Sequence, residues 1–157
     1  MSLATNAEPS GTVSGIDYTQ SLDKPEIYDM AVLVDHAAVE SRKRPTRVVE
    51  DVALAFTFGP NVGCSQTPTG STTRTRIKGY RHDRDYGFFR AAVKTAVAAA
   101  LRVLDSASVE VAVVCKVSGG IYAGESQTQI TADYPALVAE LVAENNYGQI
   151  EQVVLSV

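Results

Sequence analysis

The spacing of apolar positions changes along this chain, and each change marks an element. From Met30 to Val34, within IYDMAVLVDHAA, the apolar run is continuous and ends at Asp35 and His36. That is the pattern of a strand buried on both faces. VVEDVALAFTF, Val48 to Phe58, is rich in β-branched and aromatic residues and is stopped by GPNVG, which predicts a second strand. Between the two, VESRKRPTR is charged and broken by Pro45, so it is either a short helix or a plain connection.

From Tyr86 the period becomes helical. Phe89, Val93, Ala96, Val97, Ala100, Leu101 and Leu104 share one face at three-to-four spacing, which predicts a helix packed on a sheet. Asp85 stands at its N-cap position. Phe88 and Phe89 are read as core; adjacent helical positions diverge by about 100°, so one is expected to point fully at the sheet and the other toward a cleft rim. VEVAVVCKV, Val109 to Val117, predicts a third strand. TADYPALVAELVAENN predicts a second amphipathic helix, with Asp133 as its cap and Pro135 in its first turn, where a missing N–H costs nothing. GQIEQVVLSV closes the chain as a last strand. Helix, strand, loop, helix, strand is the order of an α/β fold, here expected as a three-layer α/β/α sandwich with a mixed, largely parallel sheet.

A chain of 157 residues with 45% hydrophobic positions suits one domain, expected over residues 15–157 behind a small, polar tail at residues 1–14. The net charge of −4 argues against a polycation that coats nucleic acid. Cys64 and Cys115 lie in different contexts, and Cys115 sits in an apolar run where a reduced thiol behaves as a small hydrophobe. With no apolar span of about 20 residues and no basic start with an apolar signal core, the expected location is cytoplasmic. No Cys/His cluster suggests zinc, and no metal or cofactor is expected.

Residues 64–85, CSQTPTGSTTRTRIKGYRHDRD, follow neither period and read as a long surface loop. Arg74, Arg76, Lys78 and Arg81 surround Tyr80 there. A basic loop with an aromatic suits RNA or an acidic polymer, although such a charge run is more often a solvated surface. His82, Asp83 and Asp85 bear a metal-like look, but helix capping accounts for them.

VSGGIYAGE, Val117 to Glu125, follows the third strand directly. In open α/β sheets ligands bind beyond the carboxyl ends of strands, and glycine there leaves backbone N–H groups accessible to a diphosphate. The plainer reading is a turn that merely connects strand to helix. Asp35 and His36 are the candidate acid or base pair, against which stands the alternation of side chains along a strand.

The segment FFRAAVKTAVAAALRVLDSASVEVAVVCKVSGGIYAG resembles the helix, strand and phosphate loop of macro domains, whose loop has the form Ser-x-Gly-Ile/Val-Tyr/Phe-Gly/Ala. Ser118, Gly120, Ile121, Tyr122 and Ala123 match it. GIDYTQ resembles the family's early Asp-x-Thr segment at Asp17 and Thr19, AVLVDHAA its early asparagine strand, and ALAFTFGPNVG the strand ending in Val-Gly-Pro. The resemblance runs from about Gly15 to the C-terminus.

It implies a macro-like fold that binds ADP-ribose or an ADP-ribosylated protein. Asp17 and Thr19 would lie at the adenine, Ser118, Gly119, Gly120, Ile121, Tyr122 and Ala123 around the diphosphate, and Tyr122 against the distal ribose. Departures bear on chemistry: Asp35 and Ala38 stand near the family's asparagines, and no triple glycine follows. A reader of ADP-ribose is therefore expected. The alternatives are an ADP-ribosyl hydrolase or phosphoesterase with a rebuilt site, and an interaction module without a ligand.

Overall fold

The computed structural model describes residues 12–13, 16–17, 25–41, 44–60 and 86–156. Two short strands, β1 (Thr12–Val13) and β2 (Ile16–Asp17), pair antiparallel. A 3-10 turn, Pro25–Tyr28, leads into β3 (Ala31–Glu40) and β4 (Val48–Thr57), which form a long antiparallel ladder. Their connection is closed by the Ser41 amide donating to the Arg47 carbonyl at 2.7 Å. Helix α1 (Tyr86–Ser106) follows, then β5 (Val111–Cys115), a 3-10 segment Ile121–Ser126, helix α2 (Gln127–Glu144) and β6 (Gln152–Ser156). β5 and β6 are parallel and joined through α2, as a crossover requires.

The fold is therefore mixed α/β, and its core lies under the helices. Phe89, Val93, Val97 and Leu101 of α1 are buried against Ala112 and Val114 of β5 and against Ile130, Leu137 and Leu141 of α2. Leu33, Ala53 and Ala55 of the first ladder and Val153 and Leu155 of the second pack on the same cluster. Register explains this set. Leu33 faces Ala55, Ala112 faces Val153 and Val114 faces Leu155, so each pair points to one side of its ladder.

Two expectations need correction. The run Met30 to Val34 is not buried on both faces: Leu33 turns inward, whereas Val32 is 64% exposed and Met30 60%. Among the described residues nothing covers that outer side, so alternation rather than full burial governs the strand. Phe88 and Phe89 are both buried, as expected of a core pair, because α1 is enclosed on more than its sheet face. Ala92 and Ala96 form a second cluster with Tyr28, whose ring lies 5.6 Å from that of Phe58.

The second helix also starts earlier than its pattern suggests. It begins at Gln127, which brings Ile130 into the core at 0% exposure and leaves Asp133 and Pro135 inside the helix. Pro135 removes the N–H that the Thr131 carbonyl would accept, and both residues are exposed, where water satisfies that oxygen. Asp133 is no cap but a partner of α1. It accepts from the Tyr86 hydroxyl at 2.6 Å.

Candidate functional site

The glycine loop lies between the end of β5 and α2, and its entry is fixed by one buried side chain. Tyr134 of α2 is 2% exposed. Its hydroxyl accepts from the Val117 amide at 3.1 Å and donates to the Cys115 carbonyl at 2.8 Å. These are the backbone groups that the ladder leaves behind where β5 ends. Satisfying both with one hydroxyl ties the loop to the helix. Burial raises the Tyr134 pKa, so the group stays a neutral donor.

Beyond Val117 the chain turns sharply. Ser118 has φ 50, a left-handed conformation that a side chain tolerates poorly. Gly59, just past β4, makes this turn fit. A Cβ on Gly59 would lie 2.4 Å from Ser118 Oγ and 2.6 Å from Val117 Cγ1. The Gly59-Pro60 step thus brings the first ladder against the loop of the second, with Pro60 fully buried.

The loop glycines play different parts. Gly124 has φ 53 and ψ −130, which only glycine adopts readily. Gly119 is buried, and a Cβ there would meet the Lys116 side chain. Gly120 is exposed, and a Cβ there would meet nothing within 4 Å. The Ala123 amide donates to the Gly120 carbonyl at 3.0 Å and starts the 3-10 segment. Among the described residues no acceptor takes the amides of Ser118 and Gly120.

A polar ladder holds α2 against α1 behind this loop. Tyr86, Arg90 and Lys94, four residues apart on α1, meet Asp133, Glu140 and Glu144 of α2. Arg90 contacts Glu140 at 2.6 Å, and Lys94 contacts Glu140 at 3.3 Å and Glu144 at 2.7 Å. Burial and then the Asp133 hydrogen bond push the Tyr86 pKa up, while the Arg90 hydrogen bond lowers that of Glu140. Asp133 adjoins Tyr134, so the ladder also fixes the rotation of the helix that pins the loop.

Asp35 and His36 do not stand at a strand end. β3 continues to Glu40, because Ala37 pairs with Val52 and Val39 with Val49. The register slips by one residue on β3 between Val34 and Ala37, then by one on β4 before Val49, and the two bulges cancel. His36 and Asp51 are the bulged residues, with φ 52 and φ 58. Strict alternation would separate Asp35 from His36. The bulge instead lets the His36 amide donate to Asp35 Oδ1 at 2.9 Å and its Nδ1 donate to Asp51 Oδ1 at 2.6 Å.

Asp51 is the member of this cluster that sequence reasoning missed. Its only signal was an acidic pair, Glu50-Asp51, inside an otherwise apolar strand. The hydrogen bond to Asp51, with the charges of Asp35 and Asp51, raises the His36 pKa. From Asp51 to Gly59 the chain runs roughly 25 Å at the rise of an extended strand. The cluster and the glycine loop are therefore separate places on the molecule.

Asp17 lies in β2. Thr19 and the basic residues Arg74, Arg76, Lys78 and Arg81 lie outside the described residues, as do Asp85, His82 and Asp83. The residues that the structure brings together are Ser118, Gly119, Gly120 and Ala123, joined by Gly59 and Tyr134. No helix among the described residues is long and apolar enough to cross a membrane. No family model, curated protein or solved structure matches the chain.

Proposed function

We propose that this chain is a divergent macro-like domain, an α/β/α sandwich, that binds ADP-ribose or a related nucleotide diphosphate through the loop from Ser118 to Ala123. One observation carries the reading. Gly120 has no neighbour that its missing side chain accommodates, yet it sits in a loop anchored by Tyr134 with the Ser118 and Gly120 amides unpaired among the described residues. Glycine there serves access to the backbone rather than packing. Fixed amides beyond a strand's carboxyl end bind a diphosphate without a metal. The left-handed Ser118 is the kind of local strain, on the order of 1 kcal/mol, that persists where the surroundings over-determine it.

A reader is favoured over a hydrolase. The titratable cluster of Asp35, His36 and Asp51 lies along β3 and β4 away from the loop, so it has no reach to a ligand seated there. The test is isothermal titration with ADP-ribose beside ADP and AMP. ADP-ribose and ADP are expected to bind and AMP to bind far more weakly, with Gly120→Glu abolishing all binding at an unchanged Tm. No binding of any of the three, or unchanged affinity in Gly120→Glu, would reject the assignment.

A further inference from the structure

Lys116 follows β5 directly, stands at the entry of the glycine loop and is half-buried. Its stem lies across Gly119, where a Cβ would collide with Lys116 Cγ and Cδ. Gly119 is buried, and the methylenes of Lys116 are what lies on it. The lysine therefore folds back over the loop instead of running out along the strand. Its ammonium is two bonds beyond Cδ, at most about 6 Å from Gly119 Cα, and so beside the Ser118 and Gly120 amides that flank this glycine. Other described cations are committed or distant. Arg90 and Lys94 pair with Glu140 and Glu144, and Arg102 pairs with Asp29. Arg44 and Arg47 lie at the turn between β3 and β4, the end of that ladder opposite Gly59. Among the described residues no carboxylate pairs with Lys116.

We propose that Lys116 supplies the charge of this site: its ammonium binds the phosphoryl oxygens of the diphosphate while the amides of Ser118 and Gly120 orient them. The assignment rests on the loop being a diphosphate site. It goes further in making an ionic contact, and not the loop backbone alone, decide the affinity. Backbone amides bring only partial charges to a multiply charged group. A lysine adds a compact full charge with three donors, which suits a phosphate in any orientation. Seating its stem on Gly119 limits the side-chain freedom that binding would otherwise remove. The two adjacent glycines then have different tasks. Gly119 makes room for the lysine, and Gly120 makes room for the ligand.

Isothermal titration of the full chain with ADP-ribose and ADP, at about 50 and about 200 mM salt, tests it, because added salt screens an ionic contact. Lys116→Met keeps a stem over Gly119 and loses the charge. It is expected to bind both ligands at least ~10-fold more weakly than wild type, with an unchanged Tm and a weaker dependence on salt. Lys116→Arg is expected to recover both the affinity, to within a few-fold, and the salt dependence. Equal affinity of Lys116→Met and a wild type that binds would overturn the lysine assignment and leave the loop reading standing. Weaker binding by Lys116→Met with the full salt dependence retained would overturn it too, because the loss would then come from the shape of the loop. A wild-type affinity independent of salt rejects it without any variant, and a wild type that binds neither ligand removes both readings.

Discussion

Tyr134 and Val117 are joined by a hydrogen bond of 3.1 Å that crosses from the second helix to the first residue of the glycine loop. The same hydroxyl reaches back to the Cys115 carbonyl, so a helix side chain completes a backbone pairing that the parallel ladder cannot. The entry of the loop is thereby held by the fold itself. For the proposed diphosphate, donors held in this way would need no ordering on binding, which is where flexible loops lose affinity.

Removing that hydroxyl separates stability from binding. Tyr134→Phe removes two hydrogen bonds to partly exposed backbone groups, at about 1 kcal/mol in all. For a chain of this size the Tm is expected to fall by about 2–4 °C for each kcal/mol. The affinity for ADP-ribose is expected to drop as well at a temperature where both proteins are folded. A Tm equal to wild type in differential scanning calorimetry would show that the hydroxyl does not anchor the loop.

Gly59 and Gly120 are expected to respond in opposite ways to a side chain. Gly59→Ala forces a Cβ into Ser118 and Val117, whose own positions are fixed, and overpacking of this kind costs about 1–3 kcal/mol. Gly120→Ala meets open space and should leave the urea midpoint within error of wild type. Equal destabilisation of the two would contradict the distinction between a packing glycine and an access glycine.

Element types were legible in the sequence because period and length carry them: α1 lies where its apolar face predicts, and β4, β5 and β6 follow their β-branched runs. The start of α2 was not legible. TQIT reads as polar until Ile130 is seen to bury, and Pro135 favours a first-turn position that tertiary packing overrides. The meeting of His36 with Asp35 and Asp51 was hidden for another reason. It depends on two bulges that cancel, and alternation, the rule from which sequence reasoning works, fails only there. The glycine loop was visible as composition, but the hydroxyl that anchors it lies 17 residues downstream in an amphipathic pattern that marks it only as core.

The histidine at the double bulge is expected to titrate high. Its folded pKa is raised above 6.5, so its contribution to stability is complete below the unfolded value and is lost as pH rises through the folded one. His36 is well exposed, so the effect on Tm is small. Proton NMR measures the titration directly: the His36 midpoint is expected above 6.5, and Asp51→Asn is expected to lower it. A midpoint unmoved by Asp51→Asn would mean that the 2.6 Å contact does not persist in solution.

Asp105, near the end of α1, shows the opposite sign. Its carboxylate accepts from the amides of Gly148, Gln149 and Ile150 at 3.2, 2.8 and 3.1 Å, and so secures the connection into β6. The Gln149 amide, followed by those of Ile150 and Gly148, holds its pKa below the ordinary carboxylate value of 3.8. The stabilisation is therefore fully present above that value and disappears as pH falls through the depressed folded pKa. Asp105→Asn keeps one acceptor oxygen but loses the charge. Its urea midpoint is expected to lie below wild type at about pH 7 and to converge on it as pH falls toward about 2. A constant gap across that range would mean that the carboxylate acts by shape alone, since an uncharged acceptor has no proton linkage to lose.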